Sequence, residues 1–233
     1  MIKAILFDLD GTLRHHLPDS GEVFMNYAAS LGLQIDSETR QQVLRWEHYY
    51  FANSPELQAD NKIFSEKNAF WQNFSRHRLL LLGCESAQAE SLAAQCSAHM
   101  RDSHKPQVWV PQEVPALLAM LNEAGFILGI VSNRHEPYEE QIREMGLREH
   151  FDFLLAAGEV DSFKPDAGIF LAALERAGTS ASETLFVGDN YYADVVGAQR
   201  AGLRPVLYDP SGLFPEADCA VIRSFEELPA LVK

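Results

Sequence analysis

Residues 4–13 read AILFDLDGTL. From Ala4 to Phe7 the residues are apolar without polar alternation, the pattern of a strand buried on both faces of a parallel sheet. Two carboxylates, Asp8 and Asp10, then flank Leu9. A carboxylate taken out of water is costly unless a cation or hydrogen-bond donors meet it. The end of this strand therefore calls for positive charge from elsewhere.

The chain has 233 residues, 47% of them hydrophobic and 22% charged, with a formal net charge of −14 at pH 7. Such a chain can bury a sizeable core and has the composition of an ordinary globular protein. Its acidic balance has the wrong sign for a phosphate backbone, so no nucleic-acid partner is expected. The cysteines, Cys84, Cys96 and Cys219, are odd in number and form no Cys-x-x-Cys pair. That argues against a disulfide framework or a zinc site and suits a reducing compartment. No basic stretch followed by an apolar run opens the chain, and the run around FILGIV is far shorter than a membrane span. A cytoplasmic protein without a membrane partner is expected.

Outward from the first strand, the character changes twice. From about Asp19 to His104, Gly and Pro are rare and helical spacing dominates, predicting about four helices and no strand. The second of these helices starts at a cap residue, Asp36 or Ser37. After Lys105-Pro106, strands and helices alternate. PQEVPALLAMLNEAG predicts a helix from Pro111 to Gly125, FILGIVSN a strand, EPYEEQIREMG a helix, and FDFLLA a strand. DAGIFLAALERAG predicts a helix closing on Gly178, TLFVGD a strand, ADVVGAQRAG a helix, RPVLYD and CAVI strands. The predicted class is α/β, a doubly wound and mostly parallel sheet, interrupted by a helical block just after its first strand.

In such sheets ligands bind beyond the carboxyl ends of the strands. Four segments deliver polar residues there: Asp8 and Asp10; Ser132 and Asn133; Lys164, before Pro165; and Asp189 with Asp194 in GDNYYAD. Several carboxylates in one place raise one another's pKa, and a hard divalent cation with oxygen ligands relieves them; Mg²⁺ suits. A cation and a lysine also offset charge on a transferring phosphoryl group. A carboxylate nucleophile gives an aspartyl-phosphate, and a second acid two residues on serves the leaving oxygen and then water.

Here a resemblance becomes specific. Asp8-x-Asp10-Gly11-Thr12, Ser132-Asn133, Lys164-Pro165 and Gly188-Asp189-x4-Asp194, in this order, resemble the motifs of haloacid-dehalogenase-superfamily hydrolases with a helical cap after the first strand. The resemblance implies a Rossmann-like catalytic core at 1–16 and 105–233 and a helical cap at 17–104 that sets substrate choice. It implies Asp8 as nucleophile and Mg²⁺ ligand, and Asp10 as general acid/base with its backbone carbonyl on the metal. Ser132 and Lys164 would hold the phosphoryl oxygens, with Thr12 and Asn133 beside them ordering the loops. Asp189 would bind Mg²⁺, and Asp194 would support the metal or orient Lys164. The implied activity is Mg²⁺-dependent hydrolysis of a small phosphorylated metabolite. This chain departs from the family's habit at Arg14-His15-His16, at Arg134, and at Asn190-Tyr191-Tyr192.

Each motif alone has a plainer reading. Asp-Gly-Thr suits a turn, Ser-Asn a helix cap, Lys164 a solvated loop, and Asp194 a first-turn acid. Their order at four strand ends lifts them together. His15-His16 lack a partner at ligand spacing and read as hinge residues. The aromatics Trp46, Tyr49, Tyr50, Phe51, Trp71 and Phe74 read mostly as packing, and Arg45, His48 and Arg76 as surface charge. Among rival functions, a sugar-phosphate mutase carries the same four motifs and is the main alternative. A haloacid dehalogenase lacks the second Asp, because halide needs no proton. A phospho-receiver module is near half this length and lacks Asp10.

Overall fold

In the computed structural model, which describes residues 1–232, Ala4–Phe7 forms strand β1. A short strand β2 (His15–Leu17) follows. Five helices come next: α1 (Ser20–Ser30), α2 (Ser37–Phe51), α3 (Pro55–Ile63), α4 (Lys67–Leu81) and α5 (Ser86–Ser103). Then come β3 (Gln107–Trp109), α6 (Val114–Glu123), β4 (Ile127–Ser132), α7 (Glu139–Glu144) and β5 (Phe153–Ala156). The chain ends with α8 (Ala167–Ala177), β6 (Thr184–Gly188), α9 (Val196–Arg200), β7 (Arg204–Tyr208), β8 (Ala220–Ile222) and a 3₁₀ turn at Phe225–Ala230. Two compact units result: Met1–His15 with the chain from Val110 onward, and His16–Trp109.

The first unit is built on a six-stranded sheet ordered β5-β4-β1-β6-β7-β8, with every described pairing parallel. β1 lies in the middle, with Phe7 opposite Ile130 on one side and Val187 on the other. The chain winds outward through β4 and β5, then crosses back to lay β6 on the far side of β1. The strand order therefore reverses at the carboxyl end of β1, which is where ligands bind in open α/β sheets. The absence of alternation in β1 has a direct cause. Ile5 and Phe7 enter one core, with α6, Ile142 and Phe225. Leu6 enters the opposite core, with α8, Phe186 and Ala198. Each face is apolar because each is covered, and burial of side chains of this size contributes about 1.5–3 kcal/mol apiece.

The second unit is all-helical apart from β2 and β3, which pair with each other. Its core gathers Phe24, Met25, Val43, Leu79, Ala93 and Cys96. Asp36 caps α2, accepting from the Thr39 N–H at 2.8 Å. Arg78 is buried between the rings of Phe24 and Phe74, 4.7 and 4.3 Å from their centroids, with Glu47 Oε1 2.8 Å from its Nε. Tyr50 and Phe74 are fully packed, as the plainer reading expects, while Phe51 and Trp71 remain partly exposed.

Several sequence expectations shift. Five helices replace four, because Pro55 starts a helix of its own behind the Ser54 cap. α6 starts at Val114; Pro111 stands in the turn before it, its carbonyl accepting from the Val114 N–H at 3.0 Å. The expected helix after β6 opens instead as a π turn at Tyr191–Val195. His15 and His16, expected at a hinge, lie in the short strand β2 where the first unit gives way to the second; a ring nitrogen of His15 is 2.9 Å from the Thr12 carbonyl.

Phe186, fully buried in β6, meets Phe170 edge to face with centroids 4.9 Å apart. Phe186→Ala should lower stability by about 3–5 kcal/mol, read as a lower urea midpoint; a loss below about 1 kcal/mol would show that this core repacks freely.

Candidate active site

The first motif turns sharply after β1. Asp8 still follows the ladder, its N–H donating to the Val187 carbonyl at 2.8 Å. The chain then doubles back: Arg14 N–H reaches the Leu9 carbonyl and Gly11 N–H the Arg14 carbonyl, both at 2.8 Å. Gly11 has φ +94°, and a Cβ there would stand 2.3 Å from Asp189 Oδ2. Only glycine serves both conditions. Thr12, fully buried, ties this turn to the fourth motif. Its hydroxyl donates to Asp189 Oδ1 at 2.9 Å and accepts from the Asp189 N–H at 3.0 Å, with Asp8 Oδ2 3.3 Å away.

Lys164 is the cation that the opening strand calls for. Its Nζ lies 2.6 Å from Asp8 Oδ1 and 2.7 Å from Asp194 Oδ1, and the side chain is 2% exposed. Asn133 places it: the side-chain amide donates to the Lys164 carbonyl at 2.8 Å and accepts from the Lys164 N–H at 2.6 Å. Asp194 comes from the π turn, where Asn190 caps Tyr192 and Ala193 and donates its own N–H to Asp194 Oδ2 at 3.0 Å. Gly188 leaves the room, since a Cβ there would meet Asp194 Oδ2 at 2.3 Å. Ser132, buried at the last position of β4, completes the rim.

All eight residues singled out from sequence thus lie at the carboxyl ends of β1, β4 and β6 or in the Lys164 loop. Thr12 and Asn133, expected beside the phosphate-holding pair as residues that order the loops, spend their side chains on Asp189 and on the Lys164 backbone. Arg14 and Arg134, marked in the sequence only as departures from the family's habit, join the site through Asp10. Arg134 Nε and Nη2 meet the two oxygens of Asp10 at 2.9 and 3.0 Å, and Arg14 Nη1 meets Asp10 Oδ1 at 2.5 Å. The departure at position 134 was visible as a signal, but its partner was not.

The electrostatics follow from this geometry. One lysine faces three carboxylates, Asp8, Asp189 and Asp194. Burial pushes Asp8 up to about 7 despite Lys164, with Asp194 adding to the rise. Burial and the charge of Asp8 push Asp189 up to about 7, and burial raises Asp194. Lys164 is raised as well: burial opposes its charge, but Asp194 and Asp8 outweigh it. Asp10 goes the other way; burial disfavours its charge, yet the hydrogen bonds and charges of Arg134 and Arg14 hold it below the usual carboxylate range. An oxygen from each of Asp8, Asp189 and Asp194 lies within 4.8 Å of the others. A donor set of carboxylate oxygens with uncompensated negative charge fits a hard divalent cation such as Mg²⁺.

Comparison with known proteins shows the family. The haloacid dehalogenase-like hydrolase family model matches residues 2–202. This chain belongs to the haloacid dehalogenase-like hydrolases. The hydrolase is 29% identical to haloacid dehalogenase-like hydrolase domain-containing protein 3 of Mus musculus, over 88% of its own chain and 81% of the relative's. It is 30% identical to a phosphoserine phosphatase of Thermus thermophilus, over 92% and 91% of the two chains. Among solved structures it is similar to a 2-haloacid dehalogenase from Pseudomonas syringae, with 29% identity, a TM-score of 0.57 and coverage of 100% and 98%. The parallel α/β fold expected from sequence is that of the family. Among the described residues no helix is long and apolar enough to cross a membrane.

The raised carboxylates make a pH-dependent prediction. Asp8 and Asp189 titrate near 3.8 when unfolded and at about 7 in the folded, metal-free site. The folded state therefore holds more protons between these values, and stability falls as pH rises through that window. A bound cation should remove this penalty. Mg²⁺ should raise the melting temperature of the hydrolase clearly at pH 7.5 and much less at pH 5, measured as the shift with and without metal at each pH. Equal shifts at both would show that these carboxylates do not bind it.

Proposed function

We propose that this hydrolase is a phosphomonoesterase that acts on a small phosphorylated metabolite through an aspartyl-phosphate on Asp8, with Mg²⁺ as cofactor. The observation that carries the reading is Lys164 bridging Asp8 and Asp194 in a buried site. A buried ammonium on the nucleophile's own carboxylate opposes the rise that burial imposes on it and leaves cationic charge where phosphoryl oxygens arrive. The phosphatase named among its relatives supports the same class of reaction.

Asp8, Asp189, Asp194 and the Asp10 carbonyl would hold the Mg²⁺, which when bound offsets charge on the phosphoryl oxygens. In the first step an Asp8 oxygen attacks phosphorus, the bond to the leaving oxygen breaks, and that oxygen takes a proton from Asp10. In the second step water attacks the phosphorus of the aspartyl-phosphate, gives its proton to Asp10, and frees Asp8 and inorganic phosphate. Asp10 serves the second step as it stands, because Arg14 and Arg134 hold it ionised. Its acid role requires it to leave that clamp. Thr12 and Asn133 hold the loops in register, and Ser132 takes a phosphoryl oxygen. Residues 17–104 form the specificity cap on this reading, supported by their insertion directly after the segment bearing Asp8 and Asp10.

The similarity to a 2-haloacid dehalogenase raises a second reading. Asp10 speaks against it, since a halide leaves without a proton. A mutase would return the phosphoryl group to a sugar and release no inorganic phosphate.

With Mg²⁺ and a panel of sugar phosphates, nucleotides and phospho-acids, the hydrolase should release inorganic phosphate. Asp8→Asn should lower this by at least about a thousandfold with an unchanged circular dichroism spectrum; activity within tenfold of wild type would remove Asp8 as nucleophile. Asp10→Asn should slow the first phosphoryl transfer more for an alkyl phosphate than for p-nitrophenyl phosphate, whose leaving group needs no proton. Rapid-mixing measurement of that transfer separates it from the later attack of water, and equal slowing for both esters would deny Asp10 the acid role.

A further inference from the structure

The pair of guanidinium groups at Asp10 exceeds what one carboxylate requires. Arg134 meets Asp10 with a two-pronged contact, and Arg14 adds a third hydrogen bond. The remaining described partner of Arg134 is the neutral Gln141 Oε1, bonded to its Nη1. Two guanidinium groups thus share one carboxylate at this rim, beside the three carboxylates that face Lys164. The Arg134 fork is also held in place before anything binds. Its carbonyl accepts from the Gly158 N–H at 3.1 Å. A Cβ at Gly158 would lie 2.0 Å from the His135 carbonyl, so the two loops are in close contact. Asn133 is fixed on Lys164 by two hydrogen bonds. The guanidinium lies 5.6 Å from the ring of Tyr138, and that ring is itself fixed by its hydroxyl on the Ile130 and Leu155 carbonyls at 3.1 Å.

A rigid, bidentate guanidinium is the preferred receptor for a carboxylate or phosphate. The Arg134 side chain is 24% exposed and its Asp10 partner 44%, so solutes reach the contact. The distances are short. Asp10 follows Asp8 by two residues and Arg134 follows Ser132 by two, each a Cα span of at most about 7 Å. A group seated on Arg134 is then only a few bonds from a phosphorus held at Asp8 and Ser132.

We propose that Arg134, with Arg14 behind it, is a recognition site for a second anionic group on the substrate. The substrate class is a phosphomonoester of two to four carbons carrying a carboxylate or a further phosphate. Asp10 occupies the fork in the free enzyme. The substrate's anion takes the Arg134 prongs, which releases Asp10 from the clamp. This rests on the phosphomonoesterase reading above.

The test compares two esters of equal chain length, 2-phosphoglycolate and 2-hydroxyethyl phosphate, with Mg²⁺. Wild type should favour the first in kcat/KM by at least about tenfold, the usual worth of a charge-assisted hydrogen bond. In Arg134→Gln the ratio should fall below about threefold. Arg134→Lys, which keeps the charge and loses the fork, should fall between and guards against a folding defect in the first variant. Loss of both rates with the ratio intact would show that Arg134 only positions Asp10 and would overturn the proposal, as would a wild type without preference. Turnover of neither ester by wild type, with phosphate released from other esters of the wider panel, would overturn the short-chain substrate class; no release from any ester would sink the phosphatase reading alone. Calorimetry then decides the site: phosphonoacetate should bind wild type at least tenfold tighter than methylphosphonate, and Arg134→Gln should erase the difference. No difference in wild type overturns the second-anion site.

Discussion

Lys164 Nζ stands 2.6 Å from Asp8 and 2.7 Å from Asp194, almost without solvent. Removing a lysine from water is costly, and so is removing either carboxylate. The three are tolerable only together and only with tight geometry. That requirement reaches well beyond the three side chains. The lysine must arrive from the loop after β5, so Asn133 grips the Lys164 backbone at both its N–H and its carbonyl. Asp194 must tuck under β6, so the chain widens into a π turn and position 188 has no side chain. Asp8 must point off the end of a strand buried on both faces, which fixes β1 at the centre of the sheet. The loops are held by polar contacts, and the apolar cores on the two sheet faces hold the strands from which they spring.

The same triad leaves a deficit. Asp189 brings a third carboxylate within 4.8 Å of the pair, held by Thr12. One ammonium does not balance three carboxylates: burial raises Asp8 and Asp189 to about 7, and the charge of neighbouring carboxylates adds to the rise. A structural ion pair would have been complete without Asp189. The site is built to keep a charge gap open, which is the property that a cation-dependent centre for phosphoryl chemistry needs.

Much of this was legible in the chain because its signals are local. The run Ala4–Phe7 reports a strand covered on both faces, since each side chain has an apolar neighbour whichever way it points. Gly178 marks the end of α8 by its left-handed backbone. The four polar motifs sit at strand ends, so topology alone brings them together. What was not legible depends on partners distant in sequence. Position 134 stood out as an arginine, but nothing local says that it reaches Asp10, 124 residues away. Asn133 reads as a cap until the Lys164 loop is seen to lie against it. The π turn after β6 is hidden too, because Tyr191-Tyr192-Ala193 carries no helix-breaking residue and tertiary demand on Asp194 overrides helical propensity.

Asp10 shows how two demands meet in one residue. It lies two residues beyond Asp8, so its carboxylate would add to the repulsion already present there, and Asp10 is indeed among the causes that raise Asp8. The arginines answer this differently from Lys164. Lys164 is buried and shared, and its loss would strand two charges. Arg14 and Arg134 stand at the rim, where the contact is open to solvent and exposed ion pairs are worth little in stability. A contact that costs little to break is suited to exchange, whereas the Lys164 triad is suited to permanence. On the proposed reading this division would put the fixed charge beneath the phosphorus and the exchangeable charge where the rest of the substrate lies, so that the two halves of one small anion would meet two kinds of cation.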